Sequence, residues 1–313
     1  MTGIKDLLKL LVIAACASAA TGCFTGIEST PKITAENVRD NGVKVSEEQS
    51  FAALITPEAP ARWMPGKRWL VDDKKIALTF ASGSSYSDDI AGKTLAYDGI
   101  RISPTVTGTD VVDVILKDSL GNTFYHKTNV SPTDWEQKSF YNIPFTIELS
   151  AVEKADSLLR NHIYYIETPR WYNENDYDIM GQRHIPVKIT KVSPGNNLYP
   201  LKVAFTQQNR PSEPERYIFL TYGNDVSATR NFDRIFLFTD PRKQYPRITD
   251  KTWNLIINSQ IAVGMTRDEC RLALGAPAGI DRAATPGAQL ERWSYENGVY
   301  LIFEDGILSK FRL

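Results

Sequence analysis

The sequence is poor in the side chains that hold metals and close disulfides: three cysteines and three histidines in 313 residues. That leaves little for a zinc framework or a disulfide scaffold. It also lacks an excess of one charge. Lys plus Arg is 36 against 37 Asp plus Glu, a net of −1, so no global field draws the chain to nucleic acid. No nucleic-acid partner is expected. Past the N-terminus, no apolar run is long enough for a transmembrane helix. No G-x-S-x-G elbow, H-x-x-x-H or C-x-x-C spacing occurs. The expectation is a chain with no metal, no cofactor and no catalytic set, hence not an enzyme. What is present is 42% hydrophobic and 23% charged residues, enough to bury cores at a length suited to two or three domains.

The N-terminus reads as an address. Lys5 and Lys9 form a weakly basic start, and Leu10 to Ala20 is an apolar run. That run suits a signal-peptide core and is too short to span a bilayer. It ends in Ala20-Thr21-Gly22-Cys23, which resembles the bacterial lipobox. A rival, Ile13-Ala14-Ala15-Cys16, would leave a very short signal. The resemblance implies a signal peptide over residues 1–22, diacylglycerol on Cys23, and a polar tether over 23–45. Two or three acyl chains anchor a protein stably to a membrane. Cleavage before Cys23 would leave Cys270 as the remaining free thiol, so no intramolecular disulfide is expected. The residue after Cys23 is Phe24, not Asp, and the tether lacks the acidic run of many surface-exported lipoproteins of Bacteroidetes. Similarity to known sorting rules therefore implies the periplasmic face of the outer membrane, with the cell surface as the alternative.

The last sixty-odd residues carry the clearest pattern. Trp253, Ile256 and Ile257 recur at helical spacing over Thr249 to Ser259. Thr266 and Glu269 form a capping box for a second helix, with Met265 at the staple position. Gly275 and Pro277 end it. After a loop from Ala278 to Ala288 the period changes to two. Strands are expected around Leu290–Tyr295, Val299–Phe303 and Ile307–Phe311, with Asn297-Gly298 and Asp305-Gly306 as hairpin turns. The order is two helices on a three-stranded antiparallel meander, an α+β domain over 249–313. With Ile261, Gly264, Leu274, Trp293, Tyr295, Leu301, Phe303 and Leu308 in sequence, this resembles the SmpA/OmlA (BamE-like) domain of bacterial outer-membrane lipoproteins. The resemblance covers about one fifth of the chain. It implies a protein that assists barrel assembly or supports envelope integrity, and no catalysis through this domain. Here the domain ends a long chain, so fold carries over better than role.

The middle is mostly β. Ser46 and Gln49 form a capping box for a helix through Leu54. Strands are expected at 67–71, 76–80, 94–97, 111–116 and 123–126, punctuated by glycines. A helix capped at Ser150 and strands at 162–166, 183–192, 201–205 and 216–220 then repeat the plan. This suggests two tandem β-rich modules, 46–145 and 146–248, resembling small SH3-like barrels.

Candidate chemistry is sparse. Cys270 lies among apolar helix neighbours, as a buried inert thiol would. His126, His162 and His184 fall on three separate expected strands, where half-exposed structural roles are usual. The pairs Asp72-Asp73 and Asp88-Asp89 suit turns. Basic residues from Arg230 to Arg247 are interleaved with Asp233 and Asp240, a mixed surface. The segment Arg170 to Tyr177 interleaves Trp171, Tyr172 and Tyr177 with amides and acids. Such a loop suits a protein contact or sugar stacking; the alternative is a hydrophobic plug at one end of a barrel. The expected function is that of a non-catalytic, lipid-anchored envelope protein that binds protein partners. A carbohydrate- or peptidoglycan-binding lipoprotein is the second reading.

Overall fold

Two residues fix where the first described helix starts. The Ser46 hydroxyl accepts from the Gln49 amide and the Gln49 carboxamide accepts from the Ser46 amide, both at 3.1 Å. This capping box opens α1 (Glu47–Leu54). The computed structural model describes residues 46–85, 89–223, 228–285 and 288–313. The expected signal peptide, Cys23 and the tether lie outside the described residues, as does Asp88.

Among the described residues three hydrophobic cores form, each under its own antiparallel sheet. The first sheet holds β1 (Arg68–Val71), β2 (Thr94–Pro104), β3 (Asp110–Lys117), β4 (Thr123–Lys127) and β5 (Thr146–Glu148), in the order β4-β3-β2-β1-β5. Its core gathers Trp63, Trp69 and Trp135, the last on α2 (Pro132–Gln137). The run at 76–80 is not a strand. Lys74–Thr79 forms a 3-10 helix, because the Asp73 carboxylate accepts from the Lys75 amide and the Thr79 hydroxyl donates to the Ile76 carbonyl. Ile76 is buried and Leu78 is exposed, while Phe80, just past the 3-10 turn, packs half-buried on Phe124.

The second sheet comprises β6 (Ile163–Ile166), β7 (Arg170–Tyr172), β8 (Asp178–Met180), β9 (Ile185–Pro194), β10 (Leu201–Gln207), β11 (Arg216–Leu220) and β12 (Phe236–Leu237). Their order is β12-β6-β9-β10-β11-β7-β8. α3 (Leu149–Leu159) packs against β9 and β1, and so touches both sheets. Ser150 does not cap it. Its hydroxyl donates to the Glu148 carboxylate and accepts from Lys67, beside a buried Lys67–Glu148 ion pair of 2.7 Å. The strand orders of the two sheets differ, so the second half does not repeat the plan of the first. Two elements also cross the boundary expected at residue 145. α1 buries Ala52 in the second core and leads into Ile55 there, stacking Phe51 on Phe232 of α4 (Phe232–Ile235). β5 follows the boundary yet pairs with β1 of the first sheet.

The C-terminal region mixes two helices with a four-stranded sheet. α5 (Asp250–Ile257) is capped by Thr249, and α6 (Arg267–Leu274) by the Thr266–Glu269 box. Gly275 ends α6 with φ +87°, a conformation that L side chains rarely adopt. The sheet runs β13 (Gly279–Thr285), β14 (Ala288–Ser294), β15 (Tyr300–Glu304), β16 (Ile307–Arg312). The three-stranded meander is thus corrected to four strands. The segment expected as a loop pairs with β14 from Gly279↔Ser294 to Thr285↔Ala288. Residues 279 to 283 are exposed, so no alternation of apolar and polar residues announces the strand. Met265, Cys270, Trp293, Leu301, Phe303 and Leu308 fill the core beneath.

Candidate functional site

The segment singled out for its aromatics is the β7–β8 hairpin. Its turn is local chemistry: the Asn173 side-chain Oδ1 accepts from the backbone amides of Asn175 and Tyr177, both at 3.0 Å. The hairpin does not present three aromatic faces. Trp171 is 2% exposed, packs edge-on to Phe205, and donates from Nε1 to the Thr168 carbonyl at 2.8 Å. Trp171 as a stacking platform is therefore corrected to a core residue that closes one end of the second core. Tyr172 is half-buried against Phe219, ring to ring at 4.9 Å. Tyr177 alone stands out, 69% exposed.

Beside this hairpin lies a cleft of about 500 Å³, within the range of small-ligand sites. The edge of Trp171 and the residues Ile179, Met180 and Gly181 form one side. The other side is polar. Asn209 donates to the Gln182 carboxamide oxygen at 3.2 Å, Gln182 donates to Asn258 at 2.9 Å, and Asn258 donates to the Asn254 carbonyl at 2.7 Å. This relay ties the β8–β9 connection to the end of α5 and fixes the wall. Gln207 also lines the cleft, and its position follows from strand period. Val203, Phe205 and Gln207 alternate along β10, and the first two are fully buried in the second core. Gln207 pairs with Val187, so the sheet sets its direction. It is 5% exposed, yet its carboxamide makes no hydrogen bond among the described residues. Arg210, Glu213 and Arg216 stand at the rim, with Arg216 3.5 Å from Glu213. Two guanidiniums and one carboxylate leave a single positive charge there.

No family model, curated protein or solved structure matches this chain. The cleft is thus judged on its own chemistry. Sequence reading missed Gln207, Gln182, Asn258 and Arg210. The legible signal was a polar residue at an inward strand position, two beyond Phe205.

The remaining titratable candidates serve structure. Cys270 is free and buried, and burial pushes its thiol up to about 12. His126 is buried on β4, not half-exposed. Thr79 donates to Ile76, so it accepts from Nδ1 of His126 at 2.7 Å; Nε2 then accepts from the Tyr141 hydroxyl at 2.8 Å. Burial lowers this imidazole to about 4, against a partial upward pull from Asp113. His162 precedes β6 and is exposed. His184 is buried outside any strand, at φ +57°. Its Nε2–H donates to the Leu272 carbonyl at 3.0 Å, and its buried Nδ1 has no partner. Burial and the neighbouring Arg183 charge lower it to about 4, against that hydrogen bond.

Arg183 works with it. Its guanidinium donates to the carbonyls of Ala273 at 2.7 Å and Glu167 at 3.0 Å, and its amide donates to Ile257 at 2.9 Å. Arg183 and His184 thus satisfy carbonyls in the last turn of α6, where a helix leaves them without partners. Arg242 is likewise committed, to Asp250 and the Tyr245 carbonyl. Among the described residues no group of three or more His, Cys, Asp or Glu side chains is placed to hold a metal ion, and no helix is long and apolar enough to cross a membrane.

Proposed function

We propose that the chain is a lipid-anchored protein of the bacterial envelope that acts by binding, not by catalysis. Cys23 would carry the lipid and hold the protein on the periplasmic face of the outer membrane. Tethering raises the local concentration of partners, so modest contacts suffice. The observation that carries the reading is Ala20-Thr21-Gly22-Cys23 at the end of an apolar run. The C-terminal region supports the further step to an SmpA/OmlA-like envelope factor. Two capped helices precede an antiparallel sheet, and Met265, Trp293, Phe303 and Leu308 of the motif are buried together. The fourth strand is a departure from the expected pattern. The SH3-like reading of the β-rich part draws less support, since its two sheets differ in strand order.

Fractionation of envelopes tests the anchor: the native chain is expected with the membranes and Cys23→Ala in the soluble fraction. A crosslinked pull-down of the native chain, with Cys23→Ala as control, tests the role. Enrichment of outer-membrane barrels or their assembly partners, lost with the anchor, is the expected result.

A further inference from the structure

Buried carboxamides are costly unless they are paired, because a donor or acceptor shut away from water loses its solvation without return. Gln207 is unpaired within the described chain, and it escapes that cost because its carboxamide atoms stay open to the cleft. Its residue is 5% exposed, its backbone is paired with Val187 of β9 beyond the end of the β10–β11 ladder, and its side chain lines the cleft with no partner among the described residues. The neighbouring amides behave differently: Gln182 and Asn258 are locked to one another and to Asn209 and Asn254. The cleft therefore combines a rigid amide wall with a buried carboxamide, that of Gln207, which the chain leaves unpaired.

We propose that this cleft is a binding site for a saccharide carrying acetamido groups. The Gln207 carboxamide offers one acceptor and two donor hydrogens side by side. That arrangement matches the N–H and C=O of an acetamido group in a two-point contact. The side-chain NH2 of Asn173 has no partner among the described residues, since the hairpin turn uses only Oδ1 of its carboxamide. Arg210 at the rim adds planar donors suited to vicinal hydroxyls. The apolar side, at Ile179 and Met180, suits the carbon face of a sugar ring. An extended peptide fits less well. Adding a strand needs a run of free backbone groups, and the sheet edge here, β8, is three residues long. The single net positive charge at the rim accepts a neutral or singly anionic ligand. The assignment uses neither the lipid anchor nor the C-terminal resemblance, so the fate of Cys23→Ala leaves it untouched.

The test is a titration of the full chain, in detergent, with N,N′-diacetylchitobiose, read by calorimetry and saturation-transfer NMR. Saturable binding is expected, with the acetamido methyl groups closest to protein. Gln207→Leu, which keeps the bulk of an inward β10 residue, is expected to weaken binding at least tenfold with the melting temperature retained. Should that variant not fold, Arg210→Ala changes an exposed residue and is expected to weaken binding several-fold. No saturable signal at about 10 mM sugar, which leaves at best an affinity weaker than millimolar, overturns the proposal. So does equal or tighter binding of cellobiose, which has no acetamido groups, or of an N-acetylated dipeptide amide. Binding unchanged in both variants would place the sugar elsewhere and overturn the site.

Discussion

Gly181 packs so closely against Trp171 that a Cβ built on the glycine would stand 2.0 Å from Cδ2 of the indole. The backbone of the β8–β9 connection and the ring that closes the second core share one space. Gly181→Ala must move one of them. Overpacking of this kind costs about 1–3 kcal/mol. Urea unfolding of the variant should show that loss at unchanged m-value. A cost under about 0.5 kcal/mol, the scale of neutral surface changes, would mean that the hairpin yields freely.

Trp171 and Tyr177 separate the two readings of this hairpin. Trp171→Ala removes a buried ring and its hydrogen bond to Thr168, and should cost about 3–5 kcal/mol. Tyr177→Ala removes an exposed ring and should change stability by less than about 0.5 kcal/mol. Parallel thermal melts decide the matter. Comparable small effects at both positions would return Trp171 to the surface.

What the sequence made legible was local. The capping boxes at Ser46 and Thr266 are i, i+3 patterns whose partners sit within one turn, and both form. The change of period after Pro277 announced helices followed by strands. β13 stayed hidden because its exposed residues bear no apolar alternation. The 3-10 helix at 74–79 stayed hidden because apolar neighbours resemble a strand until burial shows that Ile76 alone of that helix faces in. The cleft was out of reach for another reason. Its wall joins Gln182 to Asn258 across 76 positions, and no periodicity encodes such a pairing. Gln207 was half legible: the alternation Val203, Phe205, Gln207 gave its direction, but not what it faces.

Arg183 holds the second sheet to the C-terminal helices through two donations, from its amide to Ile257 and from its guanidinium to Ala273, while a third, to Glu167, fixes the guanidinium on its own side. Arg183→Met keeps the stem and removes the fork. The Ala273 carbonyl then loses its donor at the end of α6. Leaving such a group unsatisfied costs about 1–3 kcal/mol. The loss should fall on the junction between regions, so differential scanning calorimetry is expected to show an earlier transition splitting from the main one. A melt with unchanged midpoint and shape would remove Arg183 from this role.

Cys270 sits at zero exposure in α6, with its thiol pushed up to about 12 by burial, the nearby Glu269 carboxylate adding to the rise. A thiol that is neither ionised nor accessible does not react. With the native chain at pH 8, a disulfide reagent should label Cys270 at the rate of unfolding, and at once in denaturant. Fast labelling of the native state would show that the helix opens locally.

The two buried histidines make stability depend on acid. Both His126 and His184 are lowered to about 4, from an ordinary value of 6.5, chiefly by burial. Thr79 and Tyr141 bracket the neutral His126 ring, whereas the Leu272 carbonyl partly offsets the fall at His184, which burial and the Arg183 charge produce. In the unfolded chain each takes a proton below about pH 6.5. The unfolded state then binds more protons than the folded one, so stability rises with pH between about 4 and 6.5. Their contribution is complete above that window and is lost as pH falls through it. Two to three pH units correspond to about 3 kcal/mol for each group at the acid end. His126→Gln can still bridge Thr79 and Tyr141 but cannot titrate there. Its melting temperature should fall less steeply than that of the native chain from pH 6.5 to 4.5. Parallel slopes for the native chain, His126→Gln and His184→Gln would show that neither imidazole is the group being charged.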